Sequence, residues 1–193
     1  MGEAGSADDV WVELIAVGTE LLLGQVADTN SGHIAAALAS QGWYCRRQVT
    51  VGDNEERIIE ALEGALANSD AVIVYGGLGP TQDDVTRSAV ARCLGDDLVV
   101  DAASLAAIRE RFARRRLPMP VRNEIQALYL RHGQPIRPVV GTASGLICEV
   151  QPSPGRGEQS VPSNSPAARR ARVVYVLPGV PAEMAEMLDR AVL

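Results

Sequence analysis

The chain has 193 residues, of which 47% are apolar and 22% charged, with a formal net charge of −6. That is enough apolar chain to bury a core unaided, and it excludes collagen-like, coiled-coil, disulfide-scaffold and wholly disordered classes. No apolar run approaches the ~20 residues of a membrane helix, and an acidic chain with 4% aromatic residues argues against nucleic acid as a partner. Residues 1–9 (MGEAGSADD) read as a flexible tail, because an export signal would be basic and then apolar. A cytoplasmic domain over 10–193 is therefore expected. Residues 10–17 (VWVELIAV) form a short β-branched run that predicts a buried strand. A loop, GTELLLGQVADTN, leads to a helix capped by Thr29 or Asn30 and stopped at Gly42. Residues 43–51 (WYCRRQVTV) predict a second strand, followed by a Gly-Asp-Asn turn and a helix to about Asn68. Residues 71–75 (AVIVY) predict a third strand, which runs into GGLGPTQDDVT and another helix.

The later part is less regular. Residues 98–100 suggest a short strand, 104–116 a helix, and a second helix is expected from Pro120 to about Leu130. GTASG (141–145) is a tight loop before a strand at 146–150. Residues 151–170 hold four prolines and no apolar periodicity, and read as a disordered insertion in a hairpin. Its partner strand is 172–177 (RVVYVL). Pro178-Gly179-Val180-Pro181 then turns into a last helix, packing through Ala182, Ala185 and Leu188. The β-α-β-α-β-α order predicts an α/β fold, with parallel strands and helices on both faces. Ligands of such sheets sit at the carboxyl ends of the strands, where the Gly18 and Gly76 loops fall.

The chemistry is bounded first by absences. All 18 cations are arginine, so neither a G-x-x-x-x-G-K-[ST] phosphate loop nor a Schiff-base lysine exists. Cys45, Cys93 and Cys148 form no C-x-x-C, with only His33 and His132 to join them, so reduced thiols are expected rather than zinc. Ser144 lacks G-x-S-x-G spacing.

The informative stretch is 76–86. Three glycines in four positions let the backbone approach a ligand closely. The following helix offers free N–H groups to phosphate. Asp83 and Asp84 stand beside Thr81 and Thr86. The structural alternative is a plain turn with Asp83 or Asp84 as helix cap. Two carboxylates beside a phosphate repel it, by about 4 kcal/mol at ~4 Å and an effective dielectric of ~20. A divalent cation such as Mg²⁺ reverses that sign. Asp83, Asp84 and Glu20 are the candidate cation ligands, and Asp84 and Asp83 the candidate catalytic residues. Glu20 is alternatively a water-orienting acid. Asn30, Thr142 and Glu183 are candidate ribose or base contacts.

IAVGTELLLGQVADTN, TVGDNEERI, GGLGPTQDDVT, FARRRLPMP, GTASG and LPGVPAEM occur in the order seen in the competence/damage-inducible protein A (CinA) family, which this chain resembles over 12–188. The resemblance implies the molybdopterin-binding fold shared with MoaB and MogA, a three-layer α/β/α sandwich with a mostly parallel sheet. It implies substrate contacts from Gly18, Thr19, Glu20, Asn30, Gly76, Gly77, Gly79, Pro80, Thr81, Thr86, Gly141, Thr142, Gly145, Pro178, Gly179 and Glu183. It also implies metal-dependent ADP-ribose pyrophosphatase activity, giving AMP and ribose 5-phosphate. The alternatives it carries are a non-catalytic module for a nucleotide or pterin phosphate, and molybdopterin adenylyl transfer as in MogA-like proteins. Asp84 matches the functional aspartate of those relatives, and Asp83 has no acidic counterpart there. Dimers or trimers are implied. The nicotinamide mononucleotide deamidase domain of full-length CinA proteins is not expected in this chain. Ala143-Ser144 departs from the family's usual alanine-proline, and Arg122-Asn123 from its paired asparagines before Gln126-Ala127.

Overall fold

This computed structural model describes residues 9–139, 141–150 and 172–193. The chain begins β1 (Trp11–Val17), α1 (Thr19–Leu22), α2 (Thr29–Ser40), β2 (Tyr44–Val51), α3 (Glu55–Asn68), β3 (Ala71–Tyr75) and α4 (Thr86–Leu94). It continues β4 (Leu98–Val100), α5 (Ala102–Arg114), a 3₁₀ helix (Val121–Ala127), β5 (Leu128–Leu130) and β6 (Gln134–Ile136). It closes with β7 (Gly145–Val150), β8 (Arg172–Leu177) and α6 (Pro181–Ala191).

The main sheet has the order β2-β1-β3-β8-β7-β6. Its first four strands are parallel, β7 runs antiparallel to β8, and β6 runs antiparallel to β7. Strand alternation divides its side chains between two cores. Ile15, Val17, Val72, Val74, Val174 and Val176 meet Ile58 and Leu62 of α3 and Ala89 and Val90 of α4. Val12, Leu14, Ala16, Ile73 and Leu177 meet Ile34 and Leu38 of α2 and Met184, Met187 and Leu188 of α6. Two apolar faces on one sheet need two helix layers, so the α/β/α sandwich follows from the strand composition. A separate antiparallel pair, β4 with β5, lies against α4, and α5 reaches it through a hydrogen bond between the Ser104 and Tyr129 hydroxyls. Among the described residues no helix is long and apolar enough to cross a membrane.

Several expectations are corrected. GTELLLG is not wholly loop, because Thr19–Leu22 makes one helical turn. The α2 cap is Asp28, whose side chain accepts from the Ser31 N–H, rather than Thr29 or Asn30. The helix expected to run from Pro120 to Leu130 is a 3₁₀ turn that stops at Ala127, so that 128–130 can pair with β4. The packing face of α6 is Met184, Met187 and Leu188, while Ala182 is exposed. Burying the larger side chains removes more apolar surface from water, at about 25 cal/mol per Å². The insertion expected at 151–170 lies outside the described residues.

Candidate functional site

The four parallel strands all end on one edge. The loops that leave them enclose a cleft of about 730 Å³. Its lining brings together Glu20, Asn30, Gly76, Gly77, Gly79, Thr81, Asp83, Asp84, Thr142, Pro178, Gly179 and Glu183, all expected site residues. Gly18, Thr19, Pro80, Thr86, Gly141 and Gly145 are not among its lining residues. Thr86 is fully buried and its hydroxyl donates to the Gly76 carbonyl at 2.9 Å, so it braces the turn from behind. Gly145 is buried against the β8 backbone, where a side chain would meet the Val176 carbonyl. Thr19 ties two loops together: its N–H donates to Asp53 Oδ2 at 2.8 Å, and the Asp53 N–H donates to its hydroxyl at 3.1 Å.

The glycine turn needs its glycines. Gly76 has φ of 100° and Gly77 φ of 61°. A Cβ at Gly76 would run into the Val17 carbonyl, and one at Gly77 into the Thr86 hydroxyl. Asp84 then folds back into the crook of the loop. Its Oδ1 accepts from the Gly79 N–H at 2.7 Å, and its Oδ2 accepts from the Thr81 N–H at 2.8 Å and the Thr81 hydroxyl at 2.6 Å. Two expectations change here. Neither Asp83 nor Asp84 caps α4, whose N-cap residue is Val85, with no side-chain cap. And the Gly79 and Thr81 amides, expected to face a phosphate, hold a carboxylate of the chain itself. The anionic oxygen these donors hold belongs to Asp84.

Across the cleft, Asp28 accepts from the Ser31 N–H through Oδ1 and from the Tyr75 hydroxyl through Oδ2, at 2.8 Å. Burial, reinforced by that carboxylate, raises the Tyr75 phenol well above its usual value. Asn30 is 7% exposed and donates through Nδ2 to the Gly179 carbonyl at 2.8 Å. Its Oδ1 is buried without a hydrogen-bond partner. A buried acceptor left unpaired costs ~1–3 kcal/mol, and this one leaves the Asn30 oxygen open to a donor. The Glu183 carboxylate packs on Gly141, and burial raises its pKa, opposed by Arg111.

The charge of the cleft is one-sided. Among the described residues six carboxylates line it (Glu20, Asp28, Asp53, Asp83, Asp84 and Glu183) and no arginine does. Among the described residues no three His, Cys, Asp or Glu side chains converge as a metal cage. The expected trio of Asp83, Asp84 and Glu20 thus shares the cleft without forming a preassembled site. The donors are nevertheless hard oxygens, and Mg²⁺ is commonly held by one or two carboxylates together with substrate phosphates.

Sequence reasoning missed Asp28, Tyr75, Asp53 and Gln126 as lining residues. Asp28 and Asp53 were visible as acids in the loops after β1 and β2. Arg87 was also missed. It is 4% exposed, and its guanidinium donates to the carbonyls of Leu78 at 2.9 Å and Ser144 at 3.1 Å. It joins the glycine loop to the 141–145 loop and has no carboxylate partner among the described ion pairs. Burial pushes its pKa down to about 10.

A parallel α/β domain with an acid-lined cleft at its strand ends and a glycine turn that holds anionic oxygen defines a small-molecule-binding class. Residues 13–193 match the family described as "Probable molybdopterin binding domain", and the chain belongs to that family and to its CinA-like group. The solved structure of "the protein CinA with unknown function" from Thermoplasma acidophilum is 34% identical, with TM-score 0.77 over 95% of this chain and 96% of that one. The "Putative competence-damage inducible protein" of Caldicellulosiruptor bescii is 40% identical over 94% of this chain and 39% of its own length. That of Levilactobacillus brevis is 49% identical over 70% of this chain and 32% of its own length. The chain thus spans well under half of these curated relatives. The tungsten cofactor synthesizing protein MoaB of Pyrococcus furiosus shares the fold, with TM-score 0.57 at 16% identity.

Proposed function

We propose that the cleft binds a nucleotide diphosphate together with a divalent cation and hydrolyses the anhydride, as an ADP-ribose pyrophosphatase. The observation that carries this is the pairing of a glycine turn that donates three hydrogen bonds to the Asp84 carboxylate with a cleft in which, among the described residues, six carboxylates and no arginine form the lining. The turn selects an anion, while the surrounding charge repels one unless a cation accompanies it. That combination suits a cation–diphosphate pair better than a free phosphate.

In this reading Asp84 turns from the loop to the cation, which frees the N–H groups of Gly79 and Thr81 for a phosphate oxygen. Asp83 and Asp84, with Glu20, would hold the cation. When bound, the cation neutralises the diphosphate and polarises a phosphoryl oxygen. Asp28 and Asn30 Oδ1 accept from ribose hydroxyls or a ring N–H. Water adds to one phosphorus and the anhydride bond breaks, so that ADP-ribose and water give AMP and ribose 5-phosphate. Chromatography of ADP-ribose incubated with the protein tests this: AMP should form with Mg²⁺ and not with excess chelator. Absence of AMP with Mg²⁺, Mn²⁺ and Co²⁺ alike contradicts the catalytic reading.

One observation favours a second reading. Both Asp84 oxygens are already occupied by loop donors, which suits a residue that shapes a binding loop. A non-catalytic nucleotide or pterin phosphate module would then raise its Tm with ligand and release no product. Adenylyl transfer to molybdopterin would require ATP consumption.

A further inference from the structure

Arg87 has no place in the reading above, does not line the cleft, and is nearly the most buried cation the chain could carry. A buried charge without a carboxylate partner is costly, and two carbonyls repay only part of that cost. Leu78, whose carbonyl it holds, is itself 2% exposed, and Ser144 is 1% exposed. The guanidinium therefore works at the floor of the site, between the glycine turn and the 141–145 loop. Its Nε has no hydrogen-bond partner, so its contacts are confined to those two carbonyls.

The orientation of one peptide unit gives this contact a consequence. The described chain has no cis peptide bonds, so the Leu78 carbonyl and the Gly79 N–H point in opposite directions. Arg87 holds the carbonyl end at 2.9 Å from below. The N–H end accordingly faces the other way, where it donates to Asp84 Oδ1 at 2.7 Å. A cation on the acceptor end of an amide polarises it and strengthens its donor end. The same cation places a positive charge one peptide unit away from a cleft lined by six carboxylates.

We infer that Arg87 is a positioning residue for anion binding: through the Leu78–Gly79 peptide it aims and polarises the Gly79 N–H toward an anionic oxygen in the cleft. This rests on the proposal that the cleft takes a diphosphate, and it extends that proposal to a residue that touches no ligand.

The test compares Arg87→Gln, which keeps a donor but loses the charge, with Arg87→Lys, which keeps the charge. Magnesium pyrophosphate is the calorimetric probe, and amide exchange at Gly79 is followed by NMR. Arg87→Gln should weaken pyrophosphate binding about tenfold, the scale of one charge-assisted hydrogen bond, and speed Gly79 exchange, whereas Arg87→Lys stays within about threefold of wild type. Wild-type affinity and wild-type exchange in Arg87→Gln would overturn the assignment. So would equal losses in both variants that follow their Tm, because a structural staple predicts that pattern. If Arg87→Gln does not fold, a tenfold loss of pyrophosphate binding in folded Arg87→Lys overturns it, because that variant keeps the charge. Wild-type protein that binds no pyrophosphate contradicts the functional reading, and Gly79 exchange then decides on Arg87 separately.

Discussion

Asp84→Asn separates the two jobs that the structure and the proposed reaction give to one side chain. In the folded protein its carboxylate takes three hydrogen bonds, from the Gly79 N–H, the Thr81 N–H and the Thr81 hydroxyl. Asparagine keeps one acceptor oxygen for Gly79. Its amide nitrogen then faces the Thr81 N–H, donor against donor, and the Thr81 hydroxyl can turn to accept instead. One charge-assisted bond is lost and another weakened. Such bonds are worth ~1.5–3 kcal/mol, and because Thr81 is exposed and water can take its N–H, about 1–2 kcal/mol is the expected loss. At ~2–4 °C per kcal/mol for a domain of this size, Tm should fall by about 2–8 °C. Scanning calorimetry at neutral pH measures it, on protein whose far-ultraviolet circular dichroism matches wild type. A Tm within ~1 °C of wild type would refute the view that this carboxylate holds the turn together. The same variant should form no AMP from ADP-ribose with Mg²⁺, and wild-type turnover would remove Asp84 from the reaction.

Other expectations concern the walls of the cleft and the core. Gly76→Ala puts a Cβ onto the Val17 carbonyl at a φ of 100° and should cost more than about 3 kcal/mol, seen as insoluble or molten protein; a Tm near wild type would contradict it. Tyr75→Phe removes the hydrogen bond to Asp28 and should lower stability by about 1 kcal/mol in urea titration, and in wild type Tyr75 should not ionise by absorbance near the ordinary phenol value of about 10. Glu183 has its folded-state pKa raised by burial, so its contribution is present below the unfolded carboxylate pKa and lost as pH rises through the raised value. Glu183→Gln should therefore be more stable than wild type at pH 7 relative to their difference at pH 4, and a difference independent of pH would contradict this. Cys148 is 3% exposed with its thiol pushed up to about 12 by burial, so aromatic disulfide reagents should leave it unlabelled at pH 8 until urea unfolds the chain.

The strands were legible because four of them are short β-branched runs bounded by glycine or a turn, and burial on both faces demands such runs. The 3₁₀ segment was not, because 121–130 carries helix-compatible residues whose last three are claimed by pairing with β4, a tertiary contact that local preference does not encode. The face of α6 was misread toward Ala182 and Ala185 because alanine spacing looks regular, whereas Met184 and Met187 offer more area to bury. Most of the cleft was readable, since strand ends in parallel sheets converge on one edge. What could not be read was the direction in which a carboxylate or guanidinium turns. Asp84 bends inward onto loop amides rather than capping a helix. Arg87, two residues after Val85 in a helix that looks polar at its start, points into the floor. Asn30, read as a cap, instead crosses to Gly179 with its oxygen left open.

The most direct measurement is calorimetric titration of the non-hydrolysable methylene-bridged analogue of ADP-ribose into the protein at fixed ionic strength, once with Mg²⁺ and once with excess chelator. The acid-lined cleft predicts saturable one-site binding with the cation and none without it. Equal binding in chelator would contradict the claim that these carboxylates accept a diphosphate only in company with a cation.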